Sequence, residues 1–156
     1  GIPVEICGAG STSTWDIAGD VPGITEIDPG SYALFGRKYE EQIPDLGFKT
    51  AVKVLASVIS RPVKGRAVTD CGTRCIALDQ GNPVVEYPVG ATTNRLNSEH
   101  GILDLEGDAE QLQPGDKVIL APQYHGSLVN THDYYVGMRH GKVECVWDIA
   151  ARGSHR

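Results

Sequence analysis

Large unbranched apolar side chains are scarce in this sequence, which has one Met and two Phe among 156 residues. With nineteen glycines and nine prolines beside them, that scarcity argues against long helices and for short β elements joined by tight turns. Basic clusters are also missing. No stretch gathers the Lys and Arg density that phosphate-backbone binding needs, and the formal net charge is −6, so we expect no nucleic-acid partner. There is no run of about 18 apolar residues and no signal-peptide pattern, which predicts a soluble, cytoplasmic chain without a membrane partner. Cysteine is sparse: Cys71 and Cys75 are separated by three residues, while Cys7 and Cys145 stand alone. That spacing is a poor zinc motif, and all four read as structural thiols of a reducing compartment.

What is present is a core's worth of apolar residues, 40% of the chain, and one stretch with a chemical signature. In Val4-Glu5-Ile6-Cys7-Gly8-Ala9-Gly10-Ser11-Thr12-Ser13-Thr14-Trp15, an alternating segment gives way to two glycines and four hydroxyl residues. A strand ending in an anion-holding loop reads this way, because glycine lets backbone N–H groups approach an anion and hydroxyls add neutral donors. The Gly-Lys-Ser/Thr ending of a nucleotide P-loop is lacking. A second strand, Ile24-Thr25-Glu26-Ile27, also runs into a small-residue turn, Asp28-Pro29-Gly30-Ser31-Tyr32. Two such strand ends could face one ligand.

Residues 37–50 are charged and broken by Pro44, a connector with at most a short helix. Beyond them strands recur. Residues 51–60 give the strongest β signal, followed by 66–70, 102–105 and 117–122. A final pair, 134–139 and 142–147, flanks His140-Gly141, which suits a hairpin turn. We expect a mainly β chain whose residues 51–156 form an antiparallel barrel or sandwich.

In order and spacing, several segments resemble the C-terminal portion of the D-threonine aldolase and D-serine dehydratase family, pyridoxal-phosphate enzymes with an alanine-racemase-like fold. They are Gly8–Thr14 with Trp15-Asp16-Ile17-Ala18, Thr25 to Tyr32, Ser57-Val58-Ile59-Ser60-Arg61-Pro62, Asp70-Cys71-Gly72, Ser98-Glu99-His100-Gly101, Pro114-Gly115-Asp116-Lys117-Val118, Val129-Asn130 and Val146 to Gly153. The resemblance implies that residues 1–50 are the tail of a TIM-type α/β barrel: its last strand, the phosphate loop and a connector. Residues 51–156 would then cap the active site. Gly8, Gly10, Ser11 and Thr12 would hold the cofactor phosphate, with Gly30, Ser31 and Tyr32 closing the same pocket. His100 would reach the substrate entrance as the candidate catalytic residue. The implied substrate is a small D-amino acid, and the implied partners are the remaining barrel and a second subunit of a homodimer.

Two departures stand out. The family's covalent cofactor lysine lies on the first barrel strand, and Lys38, Lys49, Lys53, Lys64, Lys117 and Lys142 all fall in segments matching other parts of the pattern. We therefore expect a fragment that is inactive by itself. The family also places a His and an Asp or Cys two residues later, after a Pro, to bind a divalent ion; here Pro122-Gln123-Tyr124-His125-Gly126 puts Tyr124 and Gly126 at those positions. No metal ligand is assigned, and His125, one position off on a regular strand, is read as solvent-facing or hydrogen-bonded. His132 and Asp133 read as structural, Asp70 as a turn former and Trp147 as core. The alternatives are a metal-free, racemase-like enzyme and a non-catalytic β binding module.

Overall fold

The computed structural model describes residues 2–154. Alternation builds its central strands. In β3, Val54–Ser60, the side chains of Val54, Ala56 and Val58 point inward while Leu55 and Ile59 stay exposed. In β7, Gly101–Leu105, every second residue is buried, and in β8, Lys117–Ala121, Val118 and Leu120 are. With β4, Arg66–Thr69, β5, Val84–Tyr87, and β6, Ala91–Leu96, they form a six-stranded antiparallel sheet in the order β5-β8-β3-β4-β7-β6. Leu103, Leu105, Leu120, Val58 and Ile76 meet in one core. Each such side chain contributes about 1.5–3 kcal/mol through burial.

The sheet's two outer strands lie next to each other in sequence, joined by Pro88-Val89-Gly90. Thr93 Oγ1 of β6 donates to Pro83 O just before β5 at 2.8 Å, and Asn82 Nδ2 reaches Thr93 O and Asn94 O at 3.4 Å. Side chains thus nearly close the sheet into a barrel, which hides edges that would otherwise invite pairing. Arg61, which follows β3, donates from Nε to Arg66 O at 2.8 Å and from Nη1 to Glu110 O at 2.9 Å, and also reaches Leu112 O. It pins the 3-10 turn at Gly107–Gln111 to the barrel end.

Outside the barrel, β1, Gly8–Ala9, pairs in parallel with β2, Glu26–Ile27, across α1, Trp15–Gly19. The strand expected at Val4–Ile6 does not form: Val4 and Ile6 are 70% and 67% exposed. Alternation alone does not make a strand, and β2 offers its partners two residues later, after Thr25 Oγ1 accepts the Cys7 N–H at 2.8 Å. A connector helix, α2, Arg37–Gln42, leads back to the barrel. Its N–H groups at Arg37 and Lys38 donate to Pro122 O and Gln123 O, 3.0 and 3.3 Å away. The fully buried Phe35 stacks on Tyr39 and tilts against Phe48, with centroids 5.6 and 5.8 Å apart.

After β8, Pro122 ends the strand and α3, His125–Val129, follows. His125 therefore opens a short helix, which removes the strand-face argument made from sequence. The last two strands, β9, Tyr134–Arg139, and β10, Lys142–Asp148, form the expected hairpin, with His140 and Gly141 at φ +50° and +74°. Trp147 is not core. It lies on this hairpin, 59% exposed, over Gly137, where an added Cβ would come within 3.0 Å of its ring.

Candidate functional site

The glycine and hydroxyl loop leaves β1 through Gly10 at φ +85°, a left-handed conformation that glycine adopts without strain. A Cβ there would also meet Ala18 Cβ at 2.9 Å, so the position demands glycine twice over. Gly8 lies against the Asp28 carboxylate, with Oδ2 2.7 Å from where a Cβ would sit. Beyond Gly10 the loop curls on itself. Ser11 Oγ is 2.9 Å from Ser13 Oγ and 3.2 Å from Thr14 Oγ1, while the Ser11 N–H donates to Thr14 Oγ1 at 3.0 Å. Three hydroxyls are gathered at one point.

Thr12 is the buried member, 2% exposed, and its Oγ1 accepts the Tyr32 N–H at 3.0 Å. That bond fastens the loop to the turn after β2, so the structure brings Gly30, Ser31 and Tyr32 beside Gly8, Gly10, Ser11 and Thr12. Among the described residues, the amides of Gly10, Thr12, Gly30 and Ser31 meet no protein acceptor. Open amides from two strand ends, with neutral hydroxyls between them, are a donor set suited to an anion. No Lys or Arg belongs to either segment. Two clefts among the described residues lie elsewhere. One of about 660 Å³ is lined by Tyr87 to Gly90 and Glu106 to Asp108, and one of about 450 Å³ by Lys38, Tyr39, Gln42, Gln80, Gln123 and Tyr124. The loop sits open on the surface.

His100 is not drawn to the loop by any hydrogen bond. It stands exposed in the β6–β7 turn, where its carbonyl accepts the Asn97 N–H at 2.8 Å. At the position of the family's metal pair, the Tyr124 ring folds over Gly126, so close that a Cβ on Gly126 would meet Cε1 at 2.7 Å. The His125 ring lies beside it, 4.9 Å between centroids, with Nδ1 buried and unpartnered and its pKa lowered by burial. Among the described residues, no group of three or more His, Cys, Asp or Glu is placed to hold a metal ion. A glycine without a side chain and a tyrosine packed on it do not form a divalent site.

Sequence reasoning did not reveal the row of rings running from Tyr32 through Phe48, Phe35 and Tyr39 to Tyr124, with centroids 5.6–6.5 Å apart. It connects the turn after β2 to the end of β8. The residues that build it are far apart in the chain, and no periodicity links them. His132 is structural, its Nε2 bonded to Cys75 O at 2.8 Å. Asp70 bridges strands instead of ordering a turn, since Oδ1 accepts the Ser57 N–H at 2.7 Å.

A nearly closed antiparallel barrel fastened to a parallel strand pair that ends in an open glycine and hydroxyl loop is the fold of the C-terminal part of alanine-racemase-like proteins. The crystal structure of D-threonine aldolase from Filomicrobium marinum superposes with a TM-score of 0.90 at 32% identity, over 98% of this chain and 43% of that one. D-threo-3-hydroxyaspartate dehydratase from a Delftia species gives 0.77 at 25% identity, over 94% of this chain and 44% of that one. Residues 51–138 match the family model described as "Putative serine dehydratase domain", and the chain belongs to that family. It is 34% identical to D-threonine aldolase of an Arthrobacter species, over 97% of this chain and 40% of that protein. Against 3-hydroxy-D-aspartate aldolase of Paracoccus denitrificans the identity is 31%, over 98% and 41%. The chain thus spans about two fifths of the length of these curated relatives. No helix among the described residues is long and apolar enough to cross a membrane.

Proposed function

We propose that this chain is the C-terminal part of a pyridoxal-phosphate-dependent lyase acting on small D-β-hydroxy amino acids. In this reading residues 1–50 supply the cofactor phosphate site as the tail of a barrel, and residues 51–156 cap the active site of a homodimer. The observation that carries it is the pair of strand ends joined through Thr12 and Tyr32, with four open amides and three clustered hydroxyls. The donor set fits a phosphate ester. The amides of Gly10, Thr12, Gly30 and Ser31 and the hydroxyls of Ser11, Ser13 and Thr14 would hold it, exchanging their mutual hydrogen bonds for bonds to its oxygens. When bound, pyridoxal phosphate supplies an electron sink that makes bonds at the substrate α-carbon breakable. Thr12 keeps the two segments in register, Gly8 and Gly10 would let the backbone close on the phosphate, and Tyr32 would flank the site. His100, exposed in the β6–β7 turn, would serve at the substrate entrance as a proton carrier.

The test uses the full-length enzyme that carries this chain. D-threonine should yield glycine and acetaldehyde, and replacing Ser11, Ser13 and Thr14 together by Ala should weaken cofactor binding at least tenfold, a loss of about 1.4 kcal/mol or more. Unchanged cofactor affinity in that variant would remove the phosphate assignment. A second reading, favoured by Tyr124 packed over Gly126, is a metal-independent, racemase-like reaction. It is supported if D-alanine racemises and chelators leave the rate unchanged.

A further inference from the structure

Beyond β4 the chain turns sharply through Cys71 to Ile76, and the N–H groups of Cys75 and Ile76 both donate to Gly72 O, at 2.9 and 3.1 Å. This turn brings Cys75, four residues on, back against the same core cluster that holds Cys71. Cys71 is sealed at 1% exposure, whereas Cys75 lies half-buried at the rim of the core. Two contacts from the segment after α3 hold the turn in place: Thr131 Oγ1 donates to Cys75 O at 3.3 Å, and His132 Nε2 is bonded to the same oxygen at 2.8 Å. All four cysteines are free. The phosphate-site reading uses neither member of this pair, and the inference stands independently of it.

We propose that Cys75 and Cys71 form a reversible oxidation site in which Cys75 reacts first with a hydroperoxide and Cys71 then closes a disulfide. Accessibility gives the order of events, since only Cys75 reaches the surface. Acidity reinforces it. Interaction with the neighbouring Cys71 thiol pulls the Cys75 thiol down to about 7, against the opposing effects of burial and the Asp70 charge and with help from His132. The same interaction, together with burial, pushes Cys71 up, so it remains a thiol. In the first step Cys75 Sγ attacks the peroxide, the O–O bond breaks, and the departing oxygen takes the thiol proton and leaves as an alcohol, or as water from hydrogen peroxide. Cys75 is left as the sulfenic acid, two electrons oxidised. In the second step Cys71 Sγ attacks Cys75 Sγ, the S–O bond breaks, and the hydroxyl leaves as water with the Cys71 proton. Two thiols and one hydroperoxide become one disulfide, one alcohol and one water. Closure needs the β-carbons within roughly 3.5–4.5 Å of each other. No regular helix continues from this turn, so little backbone bonding resists the closure.

Arg74 lies between the two cysteines and makes the test direct. Trypsin cleaves after it, placing Cys71 in the peptide Ala67–Arg74 and Cys75 in Cys75–Arg95. The full chain is treated with equimolar hydrogen peroxide, its remaining thiols are alkylated, and it is digested. We expect the two peptides joined, separating on addition of dithiothreitol, with Cys7 and Cys145 still alkylated. In Cys71→Ser the Cys75 sulfenic acid should persist and be trapped by dimedone, and in Cys75→Ser oxidation of Cys71 should slow at least tenfold. The wild-type result decides even if a variant at the buried Cys71 folds poorly. Oxidation of Cys7 or Cys145 ahead of the pair, or sulfinic acid at Cys75 with no joined peptides, would overturn the proposal.

Discussion

At the residue scale, Thr12 carries more than its small side chain suggests. A buried hydroxyl that satisfies a backbone donor twenty residues away is costly to lose, because the Tyr32 N–H is left without its acceptor. Thr12→Val keeps the shape and removes the acceptor. We expect the chain to lose about 1–3 kcal/mol in urea unfolding, and the full-length enzyme to bind cofactor more weakly. A neutral result on both would show that another contact holds the segments together. His125 gives a pH signature. Burial lowers its pKa from 6.5 in the folded chain, so above that pH it is neutral in both states and costs nothing. As pH falls through 6.5 the unfolded chain takes up the proton first, and stability declines until the lower folded value is passed. Urea midpoints compared at pH 7.5 and 5.0 should fall further in wild type than in His125→Gln. The candidate site was only partly legible at this scale. Glycines and hydroxyls announced the loop, whereas the open amides and the Thr12 bridge depend on where the backbone turns, which residue identity does not encode directly.

At the scale of elements, Phe35 joins the two halves of the chain. It is fully buried at φ +52°, uncommon for an aromatic residue, and its N–H is bonded to Ser31 O at 2.7 Å. Phe35→Ala should cost about 3–5 kcal/mol. If residues 2–50 are held to the barrel mainly through this ring, hydrogen exchange should rise selectively there while β3 and β8 stay protected. Uniform exchange across the chain would instead show one cooperative unit. The strands that could be read from sequence are those whose alternation is strong and whose partners are present, such as β3 and the β9–β10 hairpin. β5 and β6 could not be read. Val84–Tyr87 is short and bracketed by Pro83 and Pro88, and Ala91–Leu96 directs only small or polar side chains along most of its length. Such strands are recruited by neighbours, not by their own periodicity. Val4–Ile6 shows the converse, a good pattern with no partner opposite it.

At the scale of the whole molecule, the proposed phosphate loop and the lysines of the chain lie apart. The donors that fit a phosphate ester are backbone amides and hydroxyls of the chain itself, while none of its six lysines lies in the loop or in the turn after β2. Lys53 is paired with Glu86, Lys38 donates to Gln80 Oε1 at 2.6 Å, and Lys117 donates to Ser57 Oγ at 2.7 Å. An ammonium held by an acceptor on the barrel surface is poorly placed to attack an aldehyde anchored at the loop. The 156-residue chain incubated with pyridoxal phosphate should therefore bind it weakly and reversibly, in competition with inorganic phosphate. Borohydride reduction followed by peptide mapping should find no lysine labelled in stoichiometric amount. The full-length enzyme under the same treatment should carry one label, outside residues 1–156. A single stoichiometric label on Lys38 or Lys53 would instead place the covalent anchor in this chain and require a different arrangement of cofactor and loop.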